Sequence, residues 1–226
     1  MRILGVDDAG RGCVIGPLVI AGVLIDDETQ VKLLELGVKD SKLLSSCRRI
    51  KLAEEIRGVA VGTYVVKLSP ADIDKVVSSG RRLHKLNRLE AQAMARVVEA
   101  LRPDVAIVDA SDVLPRRYKN HITELLSFPV HVVSEHKADR NYPVVSAASI
   151  IAKVERDQEI DTLKARHGDF GSGYTSDPKT LVFLENLLKK HHEYPDFVRR
   201  SWKSAKAIRA DAKTKQTMLH EGVARA

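Results

Sequence analysis

Apolar positions fall into continuous runs in the first third of the chain and into helical spacing later. Residues 2–8 and 13–25 are dense in Val, Ile and Leu, which predicts two buried strands. The connection Ala9-Gly10-Arg11-Gly12 is too short for a helical crossover, so these strands are expected to run antiparallel. A third run at 58–68 predicts another strand, stopped before Pro70. Between them, Ser45 or Ser46 is placed to cap a short helix through Ile56, with Leu52, Ala53 and Ile56 at helical spacing.

Further on the period changes. Residues 87–101 predict an amphipathic helix with Leu89, Ala93, Val97 and Leu101 on or near one face, stopped by Pro103. A strand at 104–109, a helical or irregular stretch and a strand at 129–134 follow. From Pro143 to Arg166 a long helix is expected through the small-residue segment Val144 to Ala152, which allows close packing on a sheet. A glycine-rich loop, 168–178, leads to a helix at 178–191 with Pro178 in its first turn. A basic helix around 196–210 and a frayed end beyond Lys213 complete the chain. Short connections early and helix–strand alternation later predict an α/β fold, a mixed β-sheet flanked by helices. We divide it into a core at 1–165, a C-terminal helical extension of the same domain at 166–212, and a flexible tail at 213–226.

The 226 residues, 44% of them hydrophobic, suffice for one large domain with a buried core. The formal net charge of +7 favours a polyanionic partner, because Lys and Arg gain by releasing phosphate counterions. Cys13 and Cys47 have no CxxC spacing and read as reduced, buried or half-buried thiols. No apolar run reaches the length of a bilayer span, and the opening strand leaves no room for a signal peptide. A soluble, cytoplasmic monomer is expected.

The chemistry-bearing positions lie where the strands lead. Asp7 and Asp8 close the first strand, Asp109 closes the strand at 104–109, and the strand at 129–134 leads through Glu135-His136-Lys137-Ala138 to Asp139. Singly, each acid has a plain explanation as a turn or cap residue. Together, carboxylates at neighbouring strand ends repel one another unless a counter-cation joins them. Hard divalent ions such as Mg²⁺ or Mn²⁺ prefer oxygen ligands, and a pair about 3.5–4 Å apart is the usual arrangement for phosphodiester cleavage. Adjacent strand residues point to opposite faces, so Asp7 and Asp8 can share one centre only if the strand ends or bends there. His136 is expected to be structural, since hard-cation sites favour oxygen. A dinucleotide-binding loop at Gly10–Gly16 is excluded: the spacing is not GxGxxG, and Pro17 and a strand follow instead of a helix. The residues point to a metal-dependent nuclease.

Several motifs, in one order, resemble the ribonuclease HII (type 2 ribonuclease H) family. They are Asp7-Asp8-Ala9-Gly10-Arg11-Gly12 with Val14 to Val19, Lys39-Asp40-Ser41-Lys42 and His136-Lys137-Ala138-Asp139. Pro143 with Ser146 to Lys153, Gly171-Ser172-Gly173-Tyr174 with Ser176-Asp177-Pro178, and Trp202-Lys203 follow. The resemblance extends to about residue 210. It implies an RNase H-like sheet and endonucleolytic cleavage of RNA in RNA–DNA hybrids and at single ribonucleotides in duplex DNA, leaving 5′-phosphate and 3′-hydroxyl ends. It also implies that Asp7, Asp8, Asp109 and Asp139 hold Mg²⁺ or Mn²⁺, two ions during catalysis, with Asp7 as the bridge. Gly10, Arg11 and Gly12 would bind the backbone and 2′-hydroxyl at the junction, and Tyr174 would pack on the deoxyribose sugar. Recognition of the 2′-hydroxyl is how a protein tells RNA from DNA at one position.

Asp8 stands where the family usually has Glu, shorter by one methylene and about 1.5 Å of reach. The competing class is a non-catalytic nucleic-acid-binding module that keeps the groove but has lost metal competence through Asp8; metal-dependent turnover on a hybrid substrate separates the two. Lys42 and Lys137 join the substrate-binding set as candidate phosphate contacts, although a solvated surface is the ordinary fate of lysine. Gln216-Thr217-Met218-Leu219 is similar to the start of a sliding-clamp-binding peptide but lacks the aromatic pair. Only a weak clamp contact through the tail is expected.

Overall fold

The computed structural model describes residues 1–38, 45–78 and 82–223, with the side chains of 82–84, 213 and 215–223 outside the description. Lys39-Asp40-Ser41-Lys42, and with it the substrate contact expected at Lys42, lies outside the described residues.

Strands β1 (Ile3–Ala9), β2 (Leu18–Ile25), β3 (Gly62–Leu68), β4 (Val105–Asp109) and β5 (His131–Glu135) form a sheet ordered β3-β2-β1-β4-β5. β1–β2 and β2–β3 pair antiparallel, β1–β4 and β4–β5 parallel, so the sheet is mixed as expected. β2, with every residue buried, reads as a continuous apolar run because helices cover both faces. One face packs on α4 (Arg82–Leu101) and α5 (Pro115–Thr123), and the other on α7 (Pro143–His167). Gly5 allows the approach of α7: a Cβ there would lie 2.3 Å from the Val144 carbonyl oxygen. α2 (Ser46–Val59) lies along α7, capped by Ser45, whose side chain accepts from the Arg48 N–H.

Several boundaries differ from expectation, α4 among them, which begins at Arg82 and not at 87. The apolar run at 13–25 enters the sheet only at Leu18, because residues 14–16 pair elsewhere. The N–H groups of Val14 and Ile15 donate to the Gly173 carbonyl (2.8 and 3.2 Å), and that of Gly16 donates to Phe197 (2.9 Å). Pro17, with no N–H, ends this detour. The strand expected from 58 begins at Gly62, since α2 continues to Val59 and the Ala60 N–H still bonds Ile56. The stop read before Pro70 holds, as β3 ends at Leu68, and α3 (Pro70–Val77), which had no expectation, starts there under a capping box of Ser69 and Asp72. α1 (Asp27–Glu35) and the four-residue α6 (Ala138–Asn141) had no separate expectation.

Beyond α7 the chain builds α8 (Pro178–His191) and α9 (Lys203–Val223). Their apolar residues join Val14, Ile15, Ile160, Phe170, Tyr194, Phe197 and Val198 in a third cluster, which ties the extension to the segment after β1. α9 outruns the helix expected at 196–210, with no Gly or Pro between Lys203 and Glu221, and the boundary drawn at 213 falls inside it. Among the described residues no helix is long and apolar enough to cross a membrane. Cys13 is buried, whereas Cys47 is exposed rather than buried or half-buried.

Candidate active site

Asp7 and Asp8 sit inside β1, opposite Ala21 and Ile20 of β2, and the strand runs on to Ala9. The expected strand end or bend at these residues is therefore absent, and the alternation of side chains is kept. Asp7 shares the side of Ala9, facing α7, where Ser149 hydrogen-bonds its carboxylate. Asp8 shares the side of Leu4 and Val6, where Ser111 Oγ donates to its Oδ1 at 3.3 Å. The two acids are held apart by the pleat.

Their electrostatic settings differ. Burial first, then the charges of Asp8 and Asp109, push the Asp7 carboxyl well above the usual carboxylate range, against the Ser149 bond. Burial also raises Asp8, to about 6, with Asp109 adding; Arg11, Ser111 and Arg199 oppose it. Behind Asp8, Glu90 of α4 is fully buried and receives the Arg11 Nε–H at 2.8 Å, while Arg11 Nη2 donates to Asn87 Oδ1 at 2.7 Å. Burial and then Asp8 push the Glu90 carboxyl up to about 8, with Arg11 opposing.

Asp109 ends β4 beside Asp7 in the parallel register and accepts the Ala138 N–H at 3.3 Å. That bond brings α6, with the buried Asp139, against the end of β4. Lys137 precedes α6 in the left-handed region at φ 59° and is exposed. His136 turns its ring nitrogens to the carbonyls of Ala110 and Val113 at 3.2 and 3.3 Å, a structural role as expected. Among the described residues, no three His, Cys, Asp or Glu side chains converge as a preassembled cation cage. The donor chemistry nevertheless fits a hard divalent ion. Asp7 and Asp109 place only oxygens on neighbouring strands, and the charges that raise Asp7 are the ones a cation there would offset.

The connection after β1 forms one wall of a cavity of about 410 Å³. Asp8, Gly10, Arg11, Gly12, Lys153 and Tyr174 line it. Gly10 has φ 86°, and a Cβ there would meet the Pro17 carbonyl oxygen at 2.8 Å, so this bend requires glycine. The half-buried Tyr174 ring lies against Gly12, its Cε1 3.7 Å from where a Cβ would stand. The Arg156 guanidinium lies 5.0 Å from the Tyr174 ring centre, and its Nη2 donates to the Ser172 carbonyl at 2.8 Å. Arg199 reaches the same connection from the C-terminal extension.

The structure thus gathers Asp8, Gly10, Arg11, Gly12 and Tyr174 on one cavity; Asp7 and Asp109 lie toward the ends of neighbouring strands, and Asp139 lies on α6 against the end of β4. Lys137 does not line that cavity. Sequence reasoning missed Asn87, Glu90, Ser111, Ser149, Arg156 and Arg199. Glu90 carried a signal, standing three residues before Ala93 and seven before Val97 on the predicted apolar stripe. Arg199 carried none, since its partners are 183 to 189 residues away.

The sequence model of the family described as Ribonuclease HII matches residues 4–205. A ribonuclease HII of Pyrococcus furiosus is 44% identical over 221 residues, 97% of this chain and 96% of that protein. The crystal structure of ribonuclease H2 from Pyrococcus horikoshii OT3 superposes with a TM-score of 0.87 at 43% identity, covering 94% of this chain and 99% of that one. A ribonuclease HII from Archaeoglobus fulgidus, solved as a PCNA:RNase HII complex, gives 0.82 at 45% identity over 92% of this chain and 96% of that one.

Proposed function

The chain belongs to the ribonuclease HII family, with the RNase H fold, and is an endoribonuclease; we propose that it hydrolyses the RNA strand of RNA–DNA hybrids and cuts at single ribonucleotides in duplex DNA, leaving 5′-phosphate and 3′-hydroxyl ends. The observation that carries this reading is the cavity in which Gly10, Arg11, Gly12 and Tyr174 meet beside the acidic end of β1 and β4.

Asp7, Asp109 and Asp139 are the residues we assign to hold Mg²⁺ or Mn²⁺, with Asp8 contributing from across the strand. Bound there, divalent ions would supply charge neutralisation at the phosphate and a lowered pKa for the attacking water. The chain supplies the rest. The connection after β1 offers backbone donors to the ribose, Tyr174 packs on the neighbouring deoxyribose, and Ser149 holds the Asp7 carboxylate. Lys153 and Lys137 add positive charge along the path of the strand. With water as nucleophile, and not the neighbouring 2′-hydroxyl, and the 3′-oxygen as leaving group, the phosphate stays on the 5′ end of the downstream fragment. A sliding-clamp contact is supported by the clamp-bound Archaeoglobus relative, and we assign it, as a weak one, to the C-terminal segment.

The test is cleavage of a DNA duplex carrying one ribonucleotide, beside a continuous RNA–DNA hybrid and an all-DNA duplex, with Mg²⁺, Mn²⁺ or chelator. Cutting of the first two in either metal, with none in chelator and none of the all-DNA duplex, is expected. Unchanged turnover in chelator would remove the metal assignment, and equal cutting of all-DNA duplex would remove the substrate assignment.

A further inference from the structure

Among the described residues Arg199 is the largest fully buried side chain, and it is a cation, a combination costly unless every donor is paired. Among the described residues it has no carboxylate within ion-pair distance. Its partners are backbone carbonyls instead. Nη2 donates to Gly10 at 2.7 Å, Nη1 to Arg11 at 2.8 Å and Nε to Gly16 at 3.1 Å. Its own N–H donates to the Val14 carbonyl at 2.8 Å, and the Trp202 ring lies 5.0 Å from its guanidinium carbon. The four hydrogen bonds all join the C-terminal extension to the chain just after β1.

The consequence follows from peptide geometry. In a planar trans peptide the carbonyl and the next residue's N–H point in opposite directions. With the carbonyls of Gly10 and Arg11 both drawn to Arg199, the N–H groups of Arg11 and Gly12 turn to the opposite side. Two successive N–H groups directed outward make a small donor concavity suited to an oxygen. The side chain of Arg11 is held separately, by Glu90 and Asn87, so it does not set these peptide planes.

We propose that Arg199 is a positioning residue: its guanidinium holds the carbonyls of Gly10 and Arg11 inward and thereby presents the N–H groups of Arg11 and Gly12 to the ribose 2′-hydroxyl. This deepens the proposed function and rests on its assignment of the connection as the ribose reader. Ribose selection in this enzyme then depends on a residue of the C-terminal extension that touches no substrate. A Lys at this place keeps the charge but cannot span three carbonyls with a planar fork.

The experiment uses the full chain, with affinities measured in chelator for a duplex carrying one ribonucleotide and for the same duplex in all-DNA form. Arg199→Lys should keep a cooperative thermal transition and its all-DNA affinity within about twofold. Its preference for the ribonucleotide should fall about fivefold or more, the scale of one hydrogen bond. A folded Arg199→Lys with the wild-type preference overturns the proposal. Absence of any preference in the unmodified protein would instead overturn the reader assignment beneath it. Should Arg199→Lys not fold, amide hydrogen exchange on the unmodified chain decides. The Arg11 and Gly12 amides should exchange freely in the unbound protein and become protected by the ribonucleotide duplex but not by all-DNA. Protection already present in the unbound protein would mean that these N–H groups face inward, which also overturns the proposal.

Discussion

Asp7 and Asp8 are neighbours in β1 and burial raises both, yet the two sides of that strand give them different partners. On the Asp7 side, α7 lies close enough for Gly5 to be required, and Ser149 hydrogen-bonds the acid while Asp8 and Asp109 press on it. On the Asp8 side, Arg11, Ser111 and Arg199 offset part of the cost of burial, and Arg11 is divided between this acid and Glu90. The lesson is that one strand can carry an acid whose compensation must come from outside the chain next to one compensated in part from within. A cation is worth most on the first side, where no protein cation stands among the main influences on Asp7.

The harshest way to break this comparison is Asp7→Asn. Turnover should fall about a thousandfold or more, the scale of removing a group that stabilises transition-state charge, while duplex affinity stays within a few fold. Single-turnover cleavage and binding on the same preparation give both numbers. Wild-type-like turnover would place the metal elsewhere.

Gly5→Ala probes the tight packing on the same side. The added methyl would sit 2.3 Å from the Val144 carbonyl oxygen, so strand or helix must shift, at a cost of about 1–3 kcal/mol. Denaturant unfolding measures it. A stability equal to the unmodified chain would mean that α7 yields freely and that its closeness does not fix Ser149 against Asp7.

A smaller effect is expected in the cavity, which Asp8 lines together with Ser149 of α7. Tyr174→Ala should lower cleavage at an isolated ribonucleotide about tenfold, since a ring stacked on a nucleotide is worth roughly 1–3 kcal/mol. Cleavage within continuous hybrid and the thermal transition should change less. A variant that loses stability but keeps its junction preference would make Tyr174 a packing residue.

The smallest effect, and the one that sharpens the contrast most, is a gain. Asp8→Glu should raise turnover at limiting Mg²⁺ a few fold and narrow any advantage of Mn²⁺. The added methylene, about 1.5 Å of reach, lets a carboxylate seated toward Arg11 and Ser111 extend to the cation on the other side. Metal titration of single-turnover rates decides it. Equal or poorer Mg²⁺ dependence would show that Asp8 acts well enough from its present position.

Local chemistry made much of this site legible. The apolar runs located the five strands, and the four-residue connection set the antiparallel start. The acids at 7, 8 and 109 stood out because charged residues closing buried strands need a reason. The boundaries that moved were those decided by competition between partners. Residues 14–16 have the composition of a strand, yet their hydrogen bonds go to Gly173 and Phe197, more than 150 positions away. Asp7 and Asp8 were expected to share a centre by way of a bend, and the pairing of β2 as far as Ala9 keeps the strand regular instead.

By itself, then, the sequence determined the mixed sheet, its antiparallel opening, the acids at its edge and the sharp connection beside them, because hydrophobic period and turn chemistry are local properties. Only the tertiary structure decided what each acid faces. Alternation puts Asp7 and Asp8 on opposite sides, but nothing local says that α7 covers one side and α4 the other. It also decided that Glu90 holds Arg11 and that Arg199 holds the carbonyls of Gly10 and Arg11. A buried charge takes its partners from whatever the fold brings within reach, and sequence distance leaves no trace of that choice.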